Sequence, residues 1–305
     1  MKKAIGGYWK LAKTYGVIKA IKYFYSWYYG QYKQKGIDLS KERIIDVKNG
    51  CKLNLIPNDP GISLELTRFG IHEPVTTKIV QEKIKPGMIC LDCGGNIGYY
   101  ATLESKLVGK EGRVLAIEPS PVNIKYLEKN LILQNQNNFE VYNFACGNID
   151  GEIKFVVHKI SNMCRVANPD EFETDDKKFV KIPVCKLDTF LADKNLPRLD
   201  LLRMDIEGSE LRLFEGAVDT IRKFKPMIQI ELHPGHLGPV NTKKLLKLLK
   251  DEGYEFSTFM IGYLDTPLVG TKRDIKNYKI NDLIRMIDDD KYPKNILLFI
   301  EPKNS

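Results

Sequence analysis

The sequence predicts an α/β protein built on a doubly wound, mostly parallel, seven-stranded sheet, and three observations point there. Beyond residue 88, apolar runs of strand length alternate with amphipathic runs of helix length. That order favours parallel strands joined by right-handed crossovers, with helices on both faces. A strand-like run, 88–91, leads through Asp92 into a turn carrying Gly94, Gly95 and Gly98, followed by a helix from about residue 99. The next apolar strand, 113–117, closes on Glu118, 24 residues after Gly94. In open α/β sheets ligands bind outside the carboxyl ends of the strands, where both acids fall.

The first element is an arm, residues 1–37. It holds eight lysines, both tryptophans, seven of the 15 tyrosines and no acid, so the +8 net charge of the 305-residue chain resides there. Ala4, Tyr8, Leu11, Tyr15, Ile18, Ile21, Tyr25 and Tyr28 recur at helical spacing over 1–32, and lysines interrupt every apolar run. Such a helix is too polar to span a bilayer, but it suits the headgroup region of a membrane surface. Docking on its own domain, or on a second subunit in an oligomer, is the alternative. A role as a nucleic-acid tether is disfavoured, because arginine is scarce in the arm. The N-terminus lacks the apolar core of a secretory signal, and the six cysteines are scattered. The expectation is a reduced cytoplasmic protein, peripheral at the inner membrane face if the arm binds lipid.

Residues 38–72 read as a β-hairpin cap, with runs 42–47 and 51–56 flanking Asn49-Gly50, a strong hairpin signal. The remaining domain, 73–305, opens with a helix over 75–84 that Pro86-Gly87 stops ahead of the glycine turn. After Glu118 come a helix at 121–133, a strand at 139–144 and a β-rich excursion with runs at 152–158 and 179–185. A strand at 199–204, a helix at 209–224, a strand at 226–231 and a helix at 242–251 follow. Late strands are expected at 255–261 and 295–300. Between them, 263–294 reads as a polar substrate-side insertion, helical only around 281–287.

The glycine turn has the residues of a nucleotide-cofactor turn but not the Gly-x-Gly-x-x-Gly spacing of a dinucleotide site. An ionised Asp92 would repel a pyrophosphate, whereas it suits the ammonium of S-adenosylmethionine, and Glu118 can accept the two ribose hydroxyls. Cys90-x-x-Cys93 lies inside this turn without a second pair at zinc spacing, so small buried side chains are the simpler reading. Pro234 and Gly235 between His233 and His236 argue against a helical metal-binding face.

The turn Asp205-Ile206-Glu207-Gly208-Ser209-Glu210 begins a helix, which capping alone would explain. Asp205 also stands at a strand's carboxyl end. These blocks, together with Leu91 to Tyr100, Ala116-Ile117-Glu118-Pro119-Ser120-Pro121, Lys186 to Phe190, Glu215-Gly216-Ala217 and Ile230-Glu231-Leu232-His233, resemble the FkbM family of S-adenosylmethionine-dependent methyltransferases. The resemblance spans roughly 88–236 and implies a Rossmann-like fold and an O-methyltransferase acting on a hydroxyl of a glycan, lipid-linked saccharide or small metabolite. It makes 73–305 the methyltransferase domain. It also implies that Asp92, Gly94 and Asn96, with Gly95 and Gly98 shaping the turn, bracket the methionine part, Glu118 the ribose, and Phe144 and Ala145 the adenine. The arm has no counterpart in the family pattern.

The chemistry is expected from His233, Glu231 and Asp205. Alternation puts Glu231 and His233 on one side of their strand, beside Asp205. A neutral His233 would take the acceptor's proton, with Glu231 or Asp205 orienting it. No metal ligand is assigned; a divalent cation on Asp205 and Glu231 is the alternative. An RNA methyltransferase or a cofactor-binding module without catalysis is the competing function.

Overall fold

A computed structural model describes residues 17, 18, 21, 37–261, 265, 276–289 and 296–303. The helix expected over 1–32 lies outside the described residues apart from Val17, Ile18 and Ile21, which are helical and exposed. Most of the 263–294 insertion lies outside them too.

Strands β1 (Arg43–Asp46) and β2 (Lys52–Leu55) pair antiparallel around a turn in which Gly50 has φ 86°. Val47, Leu53 and Leu55 are buried in the same apolar cluster as the central sheet, so the hairpin is fastened by packing. Helices α1 (Ile62–Phe69) and α2 (Pro74–Lys83) lead to β3 (Ile89–Cys93). Then come α3 (Tyr99–Val108), β4 (Arg113–Ile117), α4 (Asn123–Ile132) and β5 (Phe139–Tyr142).

The excursion forms its own sheet in the order β6 (Ala145–Cys146), β9 (Lys177–Cys185), β7 (Gly151–His158), β8 (Arg165–Val166). The chain returns through α5 (Leu187–Ala192) to β10 (Leu201–Met204), α6 (Glu210–Glu215), α7 (Val218–Phe224) and β11 (Met227–Leu232). The single helix expected at 209–224 is thus two. Gly216 separates them where a Cβ would come within 2.0 Å of the Gly147 carbonyl oxygen.

Helix α8 (Pro234–Asp251) starts eight residues earlier than expected and breaks at Gly238, φ 74°. The Pro-Gly pair after His233 therefore occupies a first helical turn, where proline is tolerated. Strand β12 (Phe256–Ile261), β13 (Lys276–Lys279), α9 (Ile280–Asp288) and β14 (Ile296–Glu301) complete the described chain.

The main sheet runs β13-β12-β14-β11-β10-β3-β4-β5, parallel from β11 to β5 and antiparallel among the last three strands in the chain. It has eight strands, not seven. The extra one, β13, is Lys-Asn-Tyr-Lys at an edge, where a polar strand loses nothing to burial.

Two apolar layers cover the sheet. Leu91, Cys93, Leu202 and Met204 face one layer, while Cys90 and Leu201 face the other, with α3. Period-two alternation assigns Asp92 and Arg203 to the α3 side, and they are opposite partners in the β3–β10 register.

Candidate active site

A cleft open to solvent lies at the carboxyl ends of β3, β4 and β10. Gly94, Asn96, Glu118, Phe144, Ala145, Asp205 and Glu207 line it, joined by Phe155, Cys164 and Arg165 from the excursion. Two close approaches shape it. Gly94 has φ 91°, and a Cβ there would lie 1.9 Å from the Asp205 carbonyl oxygen, so the first turn fits against the second only as glycine. Asn96 and Glu207 also adopt left-handed conformations, at φ 49° and 48°, which concentrates backbone strain in the two turns flanking the cleft.

Of the eight residues expected to hold the cofactor, Gly94, Asn96, Glu118, Phe144 and Ala145 line the cleft. Gly95 and Gly98 instead let α4 approach: a Cβ on either would meet Leu127 at 3.1 or 3.0 Å. Asp92 departs furthest from its expected place. It is wholly buried, and its Oδ1 accepts from Arg203 Nη1 at 2.8 Å. An ion pair beneath the turn, rather than a carboxylate facing the cleft, follows from alternation, because the fourth residue of β3 projects toward α3. Arg203 is the residue sequence reading missed. Its signal was one charge inside an apolar strand.

Arg203 also donates through Nη2 to Asp205 Oδ2 at 3.0 Å and stacks over the Tyr100 ring at 4.2 Å. Tyr100 in turn donates to Glu73 at 2.7 Å. Burial opposes the positive charge on Arg203, but Asp92 and Asp205 outweigh it and hold the guanidinium protonated. Glu118 is almost fully buried and accepts backbone N–H bonds from Asn96 and Ser120, both at 2.8 Å. Burial pushes its carboxyl up to about 7 against the pull of those two bonds.

Beside the cleft, at the end of β11, Asp205, Glu231 and His233 converge, each offering a ligand atom within 4.8 Å of the others. His233 is buried as the residue before α8, and its Nδ1 is 2.7 Å from Glu210 Oε1. The same Glu210 oxygen accepts from the Gly208 N–H at 2.8 Å, which ties the second turn to the histidine. The expectation of a neutral, proton-accepting His233 is not met in the protein alone. Burial would lower its pKa, but Glu210, Glu231 and Glu207 together hold it well above its ordinary value. His236, by contrast, takes no part in the convergence.

A further, partly buried group borders this region. His72 lies 2.8 Å from Glu65 and 3.7 Å from Glu73. Burial works against its charge, yet Glu65 and Glu73 push its pKa up to about 10. Asp265, from the insertion, accepts the N–H groups of Val75 and Thr76 at 2.8 Å each and so caps the start of α2 next to Glu73.

The model of the Methyltransferase FkbM domain matches residues 92–256. Methyltransferase 1 of Beauveria bassiana is 26% identical over 145 residues, 42% of this chain and 58% of the relative. Methyltransferase sdnD of Sordaria araneosa is 26% identical over 196 residues, 55% of this chain and 73% of the relative. The chain thus spans little more than half the length of the first of these. Among solved structures, Methyltransferase FkbM from Methylobacillus flagellatus is 18% identical, with a TM-score of 0.43, covering 71% of this chain and 53% of that one. Aeropyrum pernix fibrillarin, in complex with natively bound S-adenosyl-L-methionine, is 13% identical, with a TM-score of 0.43, covering 87% and 85%. The match over 92–256 takes in the glycine turn, Glu118, the Asp205–Glu210 turn and His233, and on it the chain belongs to the FkbM methyltransferase family, whose cofactor is S-adenosylmethionine.

Proposed function

We propose that this protein transfers a methyl group to a hydroxyl oxygen of a glycan, lipid-linked saccharide or small metabolite. One observation carries the reading. Asp205 lines the cleft and also belongs to the group it forms with Glu231 and His233, so a donor in the cleft and an acceptor at that group would be neighbours.

The residues of the cleft fit S-adenosylmethionine. Glu118 keeps acceptor capacity for two ribose hydroxyls while backbone N–H groups fix its orientation. Phe144 and Ala145 offer an apolar wall for adenine. The bare backbone at Gly94, with Asn96 and Asp205, offers polar groups for the methionine part. Bound S-adenosylmethionine supplies a methyl group already activated on a sulfonium, which leaves the protein to align an acceptor with it. Arg203 fixes Asp205 from below. Asp205 accepts a hydrogen bond from the acceptor hydroxyl and receives its proton as the oxygen bonds to carbon, with Glu231 beside it.

The arm supports a second element of the reading. Eight lysines with interleaved aromatics and no acid in residues 1–37 fit an anionic membrane surface, which would bring the domain to a lipid-linked acceptor. Among the described residues no helix is long and apolar enough to cross a membrane.

Mass spectrometry of glycans, lipids and RNA from cells with and without the protein tests the function. The expected result is a saccharide, lipid or metabolite species lighter by one methyl group when the protein is absent. A change confined to RNA overturns the proposal. Deletion of residues 2–32 should abolish salt-sensitive sedimentation with anionic liposomes while leaving cofactor binding intact. Aggregation of the shortened chain would instead favour docking of the arm.

A further inference from the structure

Asp59, in the loop between β2 and α1, is 1% exposed and does not itself line the cleft. Its Oδ1 accepts from the Gly61 N–H and its Oδ2 from the Ser63 N–H, both at 3.0 Å. Those two bonds turn the chain into α1, and starting that helix requires nothing further of the side chain. Yet the same two oxygens also accept from Ser161, 102 residues further along, through its N–H at 3.0 Å and its hydroxyl at 2.9 Å. A carboxylate can accept from four such donors at once, two at each oxygen.

Ser161 opens a single 3₁₀ turn (Ser161–Met163) between β7 and β8, and Ser161, Asn162, Cys164 and Arg165 line the cleft. Strand pairing around this turn is short: β8 meets β7 only through Val166 with Phe155 and Arg165 with Val156. Bonds within the loop, such as the Ile160 N–H to His158 Nδ1 at 3.0 Å, set its shape. Bonds from outside the excursion fix where it sits. Asp59 holds it from the hairpin side, and from α4 the Asn123 side chain donates to the Ser161 carbonyl at 3.0 Å. The Asn123 N–H in turn reaches Ser120 Oγ at 3.3 Å, and the Ser120 N–H is one of the two that orient Glu118. A continuous run of hydrogen bonds thus joins Asp59 to the acid expected at the ribose. Gly61 lets the two loops close, since a Cβ there would collide with Asn162 Oδ1 and lie 2.8 Å from Ile160 Cγ2.

We propose that Asp59 is a positioning residue of the methyl-donor site: it seats the 161–164 segment so that the ribose side of the cleft, beside Glu118, is formed before the cofactor arrives. This role rests on the cofactor reading of the cleft. A wall seated in only a fraction of the molecules lowers the apparent affinity by that fraction, because only the seated form is competent to bind. Asp59 lies outside the matched residues 92–256, so the family match does not assign it.

The test is calorimetry on the full chain with two ligands, S-adenosylhomocysteine and 5′-methylthioadenosine, which keeps the ribose and adenine but lacks the amino-acid part. Asp59→Ala should weaken both alike, by about tenfold. Asp59→Asn keeps Oδ1, and with it the Ser161 N–H bond, and should recover part of the loss. Ser161→Ala should weaken both ligands by about threefold and add little in the Asp59→Ala background, because the two residues act through one contact. Hydrogen exchange separates this role from a purely structural one at α1: the 161–164 amides should exchange faster in free Asp59→Ala than in the unmodified protein and be slowed again by S-adenosylhomocysteine. If Asp59→Ala does not fold, Asp59→Asn and Ser161→Ala carry the test. Unchanged affinity for both ligands in a folded Asp59→Ala variant, or losses that add fully in the double variant, overturns the role and leaves the cofactor reading intact. An unmodified protein that binds neither ligand overturns that reading, and this role falls with it.

Discussion

The turns after β3 and β4 invite the same interpretation, yet the structure treats their acids differently. Asp92 and Glu118 both close or follow apolar strands. Glu118 comes one residue after its strand and reaches the cleft, held by two backbone N–H groups. Asp92 is still inside β3 and points sideways, where Arg203 on the neighbouring strand is its register partner. In the register of β3 and β4 Asp92 is level with Ala116, and the two further positions that carry Glu118 past the strand's end separate a group that can meet a ligand from one that braces the sheet. Arg203 then carries the brace to Asp205, the acid of the second turn that does face the cleft.

The comparison breaks most sharply at Arg203. Arg203→Ala leaves Asp92 buried without its partner and should lower stability by about 3–5 kcal/mol, read as a shift in the urea midpoint. A double variant, Asp92→Leu with Arg203→Met, should recover most of that loss. If Arg203→Ala unfolds at the wild-type midpoint, the brace contributes nothing.

Cofactor affinity separates the two acids next. Glu118→Gln should weaken S-adenosylhomocysteine binding by about ten- to a hundredfold, equivalent to roughly 1.5–3 kcal/mol. Asp92→Asn, behind the cleft lining, should change it by no more than about threefold in a folded protein. Calorimetry giving the reverse order would exchange their roles.

Gly94 is where the two turns touch. Gly94→Ala should cost about 1–3 kcal/mol from overpacking, since its Cβ would displace the Asp205 carbonyl. Gly87→Ala, at a glycine with φ 81° but open space around it, controls for backbone strain alone. Equal midpoints for the two variants would show that the close approach is not maintained in solution.

The smallest effect is on pH dependence. The Glu118 carboxyl is pushed up to about 7 in the free protein, and only its ionised form accepts from both ribose hydroxyls. Affinity for S-adenosylhomocysteine should therefore rise as the carboxyl ionises, by up to about tenfold between pH 6 and pH 8, and Glu118→Gln should abolish the slope. A flat profile in the unmodified protein would place the ribose elsewhere.

Much of the molecule is local enough to be legible along the chain. The strand and helix order, the Asn49-Gly50 hairpin and the glycine turn follow from periodicities of two and 3.6 residues and from conformations that glycine alone adopts easily. The side shared by Glu231 and His233 came from alternation in the same way. Other features had no local signal. β13 is polar and gains its place from the strand beside it. The helix expected at 209–224 divides at Gly216, whose backbone lies against Gly147, 69 residues away.

What the sequence alone determined is thus the kind of sheet, the placement of its turns and the family, because these reside in short stretches whose conformational preferences are intrinsic. Tertiary structure decided which acids are for packing and which are for the cleft. Asp92 and Glu118 are alike in composition and context, and their difference exists only once β10 lies beside β3 and offers Arg203 to one of them. The charge state of His233 was equally out of reach. It depends on Glu207, Glu210 and Glu231 surrounding one ring at once, and electrostatic energies follow distance and burial, not separation along the chain.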